Sequence, residues 1–310
     1  MKISMPSPLY TRVQHALAIN RKARLTFPCA FMGLTGRRIG NDDLTLEFED
    51  EVTFRDGTCE LSWAALGVLV DEALGSVARM KAGTTVRPAT VHLALQMTGA
   101  STQGNIVTRG HFVAFSERDR IRRCLAMATI KCGETLIGHA SAAFAMLDLP
   151  KASTQTPLPW TPEEFRPELS DAIAFAPNER EALKICERAE AAATEALPFI
   201  EHFWCGIPKP AEGKARLSVR VSPHLGNSVG HVHGGLLLGT AARVANAAVP
   251  SNMRLSNISA WFVSPGLGPR LKVRSGVVQQ GRNLAVVHTQ ILGGSGKLVL
   301  ETTSQHVAAA

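Results

Sequence analysis

The predicted secondary-structure elements of this chain of 310 residues occur twice, in the same order. Each half has a helical pattern, then a strand-like alternation of apolar and polar residues, then one long apolar helix and several β-rich segments. The two long helices, predicted at 62–80 and 233–249, align when residue numbers are shifted by 171, and the same shift superimposes the first helices of the two halves. This internal repeat predicts two tandem copies of one folding unit.

The repeats define the predicted domain organisation. We assign the first repeat to residues 1–149, a Pro-rich linker to 150–176 and the second repeat to 177–310. Because both faces of each central helix are apolar, an antiparallel sheet is expected to wrap around it. The predicted fold class is therefore α+β, and strands are predicted at 44–54 and 214–223, before the two central helices.

Composition excludes several classes of function. Apolar residues make up 45% and charged residues 19% of the chain, which is typical of a globular protein with a sizeable core. A net charge of +7 permits an anionic partner, but the basic residues are dispersed except at 118–123, so nucleic acid is not predicted. No segment has the length of a membrane-spanning helix or the apolar core of a signal peptide. The six cysteines occur singly, which predicts a protein of the reducing cytoplasm without disulfides.

The segment GNSVGHVHGG, at 226–235, permits two chemical interpretations. Its first half fits G-x-S-x-G, in which Ser228 would be the nucleophile of a serine hydrolase. That interpretation is disfavoured, because the helix is predicted to begin at His233 or Gly234, several residues too late. In addition, no Asp lies beyond Ser228, and the neighbouring strands are predicted to form hairpins rather than βαβ units.

The histidines of this region define a further alternative. His224, His231 and His233 include the ligand pair H-x-H, but no Cys or carboxylate stands near them in the sequence, so no metal site is predicted. A third interpretation gives these His and Gly residues only a structural part, as a turn and a helix start.

Gly234 and Gly235 favour a site for a developing negative charge. Without side chains, they let a substrate oxygen approach the backbone N–H groups of a helix N-terminus, where the helix dipole favours an anion. This is the physical basis of an oxyanion hole. Asn227, six residues before His233, is placed to offer its side-chain NH₂ to the same carbonyl or to a water.

These residues resemble those of the hotdog-fold acyl-CoA thioesterases, in particular the phenylacetic-acid-pathway type. In that family the stretch reads approximately N-x-x-G-x-x-H-G-G, followed by a helix with an acidic residue nine positions after the His. The matching residues are Asn227, Gly230, His233, Gly234 and Gly235. The acidic position is Ala242 here, but the shift of 171 carries it to Asp71 in the first repeat. The first repeat lacks the other parts, whose positions are taken by Asp56, Ser62, Trp63 and Ala64.

The resemblance implies one composite active site. Hotdog subunits of this family pair, and each site takes the Asn and the HGG helix start from one subunit and the acid from its neighbour. Two hotdog repeats fused as a pseudo-dimer need only one complete site. It would combine Asp71 of the first repeat with Asn227, His233, Gly234 and Gly235 of the second, and the twin site would be inactive.

The implied activity is hydrolysis of an acyl-CoA thioester. The Gly234 N–H, helped by that of Gly235, would stabilise the oxyanion, and Asp71 would act as general base or as nucleophile. Burial is expected to raise the pKa of Asp71. Coenzyme A enters as part of the substrate, neither a metal nor another cofactor is needed, and the chain is expected to form a homo-oligomer. Candidate cations for the coenzyme A phosphates are Arg243, Arg254, Arg274 and Arg282, for which solvated surface charge is the alternative.

Other interpretations stay open at the level of sequence. A non-hydrolytic acyl-CoA or acyl-carrier binding protein of the same fold would bind without turnover. A hotdog hydratase is disfavoured, since its D-x4-H segment is missing from both central helices. Asp71 could instead form a structural salt bridge, and His233 could only cap its helix. Glu72 is interpreted as solvent-facing, although a one-residue shift of the alignment would exchange it with Asp71.

Overall fold

The computed structural model describes residues 6–23, 25–118, 120–150, 158 and 174–309. Most of the predicted linker lies outside these residues, and the domain boundaries stay predictions. The helices are α1 (Pro8–Ala23), α2 (Phe27–Met32), α3 (Trp63–Ala82), α4 (Pro177–Ala192) and α5 (Gly234–Asn246). The strands are β1 (Thr35–Ile39), β2 (Asp43–Phe48), β3 (Val86–Met97), β4 (Ile106–Phe115), β5 (Arg123–Cys132), β6 (Thr135–Asp148), β7 (Lys209–Ala211), β8 (Lys214–Arg220), β9 (Met253–Phe262), β10 (Arg270–Gln280), β11 (Leu284–Leu292) and β12 (Leu298–Ala308).

The strands of the described residues form one antiparallel sheet of twelve strands. Its order is β1-β2-β4-β5-β6-β3-β9-β12-β11-β10-β8-β7, so the order in the second half reverses that in the first. The repeats meet where β3 pairs with β9, over a register from His92↔Trp261 to Gln96↔Asn257. The two repeats therefore share one continuous sheet, and the predicted α+β pseudo-dimer is confirmed.

The turn before each central helix has the same construction in both repeats. Asp56 Oδ1 accepts the backbone N–H groups of the residues two and four positions later, and Asn227 Oδ1 does the same in the second repeat. The turn also contains a residue with left-handed φ, which is Cys59 (φ 63°) in the first repeat and Gly230 (φ 80°) in the second. Left-handed φ is easy for glycine and costly for other residues, so the first repeat is strained at this position.

Glycines allow α3 and α5 to pack closely against each other. A Cβ at Gly67 would overlap the backbone oxygen of Gly235, and a Cβ at Gly239 would overlap that of Trp63. On their other sides, α3 packs on strands β2–β6 and α5 on β8–β12. Every residue of α3 from Ala64 to Leu74 is therefore buried.

Three predicted bounds were wrong. The strand predicted at 214–223 ends at Arg220, and Pro223–Leu225 forms a 3₁₀ turn. The strand predicted at 44–54 ends at Phe48, where its pairing with β4 also ends, and Val52–Phe54 forms a 3₁₀ turn with Phe54 buried. The central helix predicted to continue to residue 249 ends at Asn246, shortly before Pro250, since the residue preceding a proline avoids helical geometry. None of the described helices is long and apolar enough to cross a membrane.

Candidate active site

The HGG segment forms the start of α5. His233 is the N-cap residue, and its Nδ1 accepts the N–H of Gly235 at 3.0 Å. Its carbonyl oxygen accepts the N–H of Leu237 at 3.1 Å. The N–H of Gly234 makes no hydrogen bond to any residue that the structure describes, and Gly234 lines a cleft. This N–H group is therefore available to a ligand.

Asp71, on α3, lies against the start of α5. Its Oδ2 accepts the Gly235 N–H at 2.8 Å, and its Oδ1 accepts the hydroxyl of Thr90, on β3, at 3.0 Å. The Asp71 residue is only 7% exposed. A carboxylate of the first repeat and the imidazole of His233 from the second thus share one backbone N–H group.

Gly234 and Gly235 have separate steric reasons for being glycine. A Cβ on Gly234 would lie 2.7 Å from Asp71 Oδ2, whereas a Cβ on Gly235 would overlap the backbone oxygen of Gly67. The first glycine leaves room for the carboxylate and the second for the neighbouring helix. Because Asp71 occupies the N–H of Gly235, only Gly234 of the two predicted oxyanion donors is free.

Burial dominates the electrostatics of Asp71 and raises its pKa above the ordinary value, as predicted. His233 and the hydrogen bond from Thr90 lower the pKa of Asp71, and the charge of Glu72 raises it, but the net shift is upward. A carboxylate with a raised pKa is a stronger base than an exposed one.

Glu72, the residue after Asp71, is only 8% exposed, so the interpretation of Glu72 as solvent-facing was wrong. Its Oε2 lies 3.5 Å from His233 Nε2, and its Oε1 accepts the hydroxyl of Ser76 at 3.3 Å. The physical reason is that α3 is covered by the sheet on one side and by α5 on the other, which leaves no face for solvent. On the other side of the ring, His233 Nδ1 lies 3.5 Å from Asp71 Oδ2. The two adjacent acids therefore lie at the two different nitrogens of one imidazole, Asp71 at Nδ1 and Glu72 at Nε2.

Glu72 and His233 shift each other's pKa. Burial by itself raises the pKa of Glu72, but the hydrogen bond and charge of His233, together with Arg79, bring that pKa below its ordinary value. Burial lowers the pKa of His233, yet the carboxylates of Glu72 and Asp71 outweigh it, so the pKa of His233 is raised. The pair therefore favours an ionised Glu72 and an imidazole that gains a proton readily.

Cys29, on α2, completes a buried cluster with Glu72 and His233. The ligand atoms of these three residues lie within 4.8 Å of one another, and among the described residues this is the group of suitable size for a metal ion. Burial raises the pKa of the Cys29 thiol well above its ordinary value, and Glu72 raises it further, so the thiol keeps its proton. The three groups already serve as one another's polar partners. His224, from the alternative set of three histidines, is bound elsewhere, with Nε2 2.9 Å from the carbonyl oxygen of Phe203.

Asn227 lines the cleft, but its side-chain oxygen is engaged in the turn. Asn227 Oδ1 accepts the N–H groups of Val229 and His231, both at 3.0 Å, so only Nδ2 is left for a carbonyl or a water. Ser228 is exposed in the same turn, six residues before α5 begins and beside an antiparallel sheet. This geometry excludes the nucleophile elbow of a serine hydrolase.

A cleft of about 490 Å³ opens beside Asp71 and His233, with walls from both repeats. Its volume is in the range of small-molecule sites. Arg79 and Arg87 of the first repeat supply positive charge to the lining. The apolar side chains of the lining include Val91, Phe144, Leu147, Leu237 and Phe262.

The twin position contains a buried ion pair and has neither the acid nor the HGG residues of the candidate site. Arg243, which the shift of 171 aligns with Glu72, pairs with Glu201 and donates to the carbonyl oxygen of Gly206. Ser62 caps α3 where the second repeat has a histidine, and its hydroxyl accepts a backbone N–H. Ala242 is buried and has no polar group.

The predicted coenzyme A cations do not lie at the cleft. The side chain of Arg243 is only 15% exposed and already paired, so the prediction for this residue was wrong. Arg254, Arg274 and Arg282 are not among the residues that line the cleft. Spacing alone could not place these side chains relative to α3.

Comparisons with known proteins agree with this architecture. Residues 223–306 match the family model of the acyl-CoA thioesterase N-terminal domain. No protein of curated function matches the chain. Solved structures match nearly the whole chain, at low sequence identity. A conserved protein of unknown function with the hotdog fold, from Alicyclobacillus acidocaldarius, has a TM-score of 0.55 at 11% identity, covering 89% of this chain and 96% of that one.

Two further solved structures give similar values. The tesB protein of Mycobacterium avium subs paratuberculosis has a TM-score of 0.53 at 12% identity and covers 91% of this chain and 98% of that one. A putative thioesterase II from Thermobifida fusca YX has a TM-score of 0.53 at 12% identity, with coverages of 92% and 98%. The chain therefore has the hotdog fold, in two tandem copies. Within its second repeat, residues 223–306 are similar to the acyl-CoA thioesterase N-terminal domain.

Proposed function

We propose that this chain is an acyl-CoA thioesterase with one composite active site between its two repeats. The observation that carries the proposal is the contact between Asp71 of the first repeat and the start of α5 in the second. There, a buried carboxylate with a raised pKa lies beside a Gly234 N–H group that is free for a ligand. The similarity to a putative thioesterase II and the match of residues 223–306 to an acyl-CoA thioesterase domain support the same reaction class.

In this mechanism the thioester carbonyl oxygen accepts the Gly234 N–H, which stabilises the tetrahedral oxyanion together with the helix dipole. Asp71 acts as general base on a water. Both oxygens of Asp71 accept a hydrogen bond, from Gly235 and Thr90, which fixes the carboxylate and favours proton abstraction over direct attack on the thioester. Asn227 Nδ2 orients the carbonyl or the water.

The cleft accounts for the two ends of the substrate. Its apolar wall, which includes Phe144 and Leu237, suits an acyl chain, and Arg87 offers a cation to the phosphates of coenzyme A. Coenzyme A is thus part of the substrate, and no other cofactor is required. The chain is expected to act as a homo-oligomer in the cytoplasm, and light scattering coupled to size exclusion would measure the number of copies.

The test is hydrolysis of acetyl-, hexanoyl-, palmitoyl- and phenylacetyl-CoA, followed by the ultraviolet absorbance of the thioester. This readout does not involve protein thiols such as the exposed Cys59. We expect turnover of at least one substrate and a loss of about 100-fold or more in Asp71→Asn, as for removal of a general base. Binding of these ligands without turnover would contradict the proposal and favour the non-hydrolytic binding protein of the same fold.

A further inference from the structure

The proposed reaction gives no part to Glu72, a buried carboxylate that lines the cleft beside Asp71 and His233. The residue is only 8% exposed, and such burial is costly for an ionised group unless polar partners surround it. The partners are His233 Nε2, the hydroxyl of Ser76 and the nearby charge of Arg79. Glu72 therefore faces the second nitrogen of the imidazole that caps α5.

The hydrogen bonds of His233 determine which nitrogen carries its proton. Because Nδ1 accepts the Gly235 N–H at 3.0 Å, Nδ1 holds a lone pair and the neutral ring carries its hydrogen on Nε2. Glu72 Oε2 lies 3.5 Å from this nitrogen. Glu72 thus stabilises the tautomer in which Nδ1 is unprotonated and faces Asp71.

Asp71 Oδ2 and His233 Nδ1 are 3.5 Å apart and both accept the same Gly235 N–H. Two acceptors this close repel each other unless a proton lies between them. A proton that arrives on Asp71 Oδ2 therefore has a second acceptor nearby, and the resulting imidazolium would be paired with Glu72 on its other side.

We propose that Glu72 is a positioning residue for the thioesterase reaction: through Nε2 it holds His233 so that Nδ1 receives the proton that Asp71 takes from water. The inference rests on the proposed function. Water transfers a proton to Asp71 while its oxygen bonds to the thioester carbon, and the proton passes to Nδ1. When the C–S bond breaks, the proton returns through Asp71 to the thiolate, giving free thiol and the carboxylic acid.

The surroundings of this pair are consistent with such a relay. The charged and titratable groups that face it are Asp71 and Arg79 from α3 and Cys29 from α2. Arg79 offsets the charge of Glu72, and the Cys29 thiol stays protonated. Glu72 is therefore held as a carboxylate that can stabilise a transient imidazolium.

The first experiment measures kcat and KM of Glu72→Gln from pH 5 to 9 on the best acyl-CoA substrate. Glu179→Gln is the matched control, since Glu179 is also buried and paired, with Arg21, but belongs to α4. We expect kcat of Glu72→Gln to fall roughly 10- to 100-fold with little change in KM, as for impaired proton transfer. The acidic limb of its kcat profile should move to lower pH, because His233 loses the charge that favours its protonation. Glu179→Gln should keep kcat within about twofold of the wild type.

A second readout does not depend on turnover. The ¹⁵N shifts of the His233 ring should report hydrogen on Nε2 in the wild type and a lower titration midpoint in Glu72→Gln. Glu72→Asp, which keeps the charge on a shorter side chain, should restore part of kcat and so guards against a variant that merely folds poorly.

The outcomes separate the two proposals. An active wild type whose kcat and pH profile are unchanged in Glu72→Gln would overturn the role of Glu72 and leave the thioesterase assignment intact. A wild type without turnover would overturn both, whatever the His233 titration shows. A thermal shift caused by Zn²⁺ in the wild type but not in Cys29→Ser would replace the relay with a metal site.

Discussion

The methyl group of a Gly234→Ala variant would enter the space that the Asp71 carboxylate now occupies. It would lie 2.7 Å from Asp71 Oδ2, so the carboxylate must retreat by roughly 0.7 Å to reach ordinary van der Waals contact. The hydrogen bond from Gly235 to Oδ2, now 2.8 Å, would then be stretched to the limit of hydrogen bonding.

The size of the effect follows from that hydrogen bond. A hydrogen bond to a charged group contributes about 1.5–3 kcal/mol, and each 1.36 kcal/mol is a factor of ten in rate. We therefore expect kcat/KM of Gly234→Ala to fall roughly 10- to 150-fold. Its free energy of unfolding should fall by less than that of Gly235→Ala, because only the end of one side chain has to move.

Two glycine variants serve as controls for this reasoning. Gly235→Ala would push against the backbone of Gly67 and separate α3 from α5, so it should lower stability by about 1–3 kcal/mol or more. Gly276→Ala, on β10, meets no atom within 4 Å and should leave both properties unchanged. Thioester hydrolysis and thermal unfolding are measured on all three. Full activity of Gly234→Ala, or unfolding at as low a temperature as Gly235→Ala, would contradict this prediction.

Three further predictions concern stability. Cys59→Gly should stabilise the protein by about 0.5–1 kcal/mol in urea unfolding, because Cys59 has φ 63° where the other repeat has glycine. An unchanged free energy of unfolding would argue against strain in this turn. Because burial raises the pKa of Asp71, the contribution of Asp71 to stability is lost as pH rises through that pKa. Asp71→Asn should therefore have a higher melting temperature than the wild type at pH 8, and the difference should shrink toward pH 4. Equal melting temperatures at pH 8 would contradict this prediction. Burial lowers the pKa of His224 to about 4, so His224 should contribute a loss of about 1.4 kcal/mol of stability per pH unit as pH drops from 6.5 toward 4. His224→Gln should remove this contribution in urea titrations, whereas that of His306, whose pKa burial also lowers to about 4, should remain. An unchanged slope would contradict the prediction.

The duplicated fold could be predicted because its signals are local. Apolar helices, strand alternation and glycine turns recur at one spacing, and the shift of 171 aligns the isolated bridge Arg55↔Leu61 with Gly226↔Val232. The same shift pointed to Asp71, whose carboxylate lies at the start of α5 in the structure. Its catalytic part stays a prediction until the variants are measured.

The remaining contacts of the site could not be predicted from spacing. Because α3 is apolar all round, its periodicity does not indicate which residues face α5, and Glu72 was assigned to solvent for that reason. The available signal was the acidic pair itself, in a helix without a polar face. Thr90 and Cys29 come from β3 and α2, and only the tertiary packing of those elements brings them to Asp71 and Glu72.

Asn227 illustrates a different limit of sequence reasoning. The motif placed it near the substrate, and it does line the cleft, but its side-chain oxygen closes a turn that Asp56 closes in the first repeat. A residue that stabilises a turn and a residue that contacts a substrate can each stand six positions before the N-cap residue of a helix. Spacing therefore cannot separate the two parts.

The central claim is that one site works, and that it takes its acid from the first repeat and its free N–H from the second. Asp71→Asn and Asp56→Asn test it most directly, because each variant removes one carboxylate. Asp56→Asn gives the first repeat the same turn residue, an asparagine, that the second repeat has at Asn227. We predict that the rate of thioester hydrolysis falls about 100-fold or more in Asp71→Asn and stays within about twofold of the wild type in Asp56→Asn. Equal losses in both variants, or full activity in Asp71→Asn, would contradict the composite site.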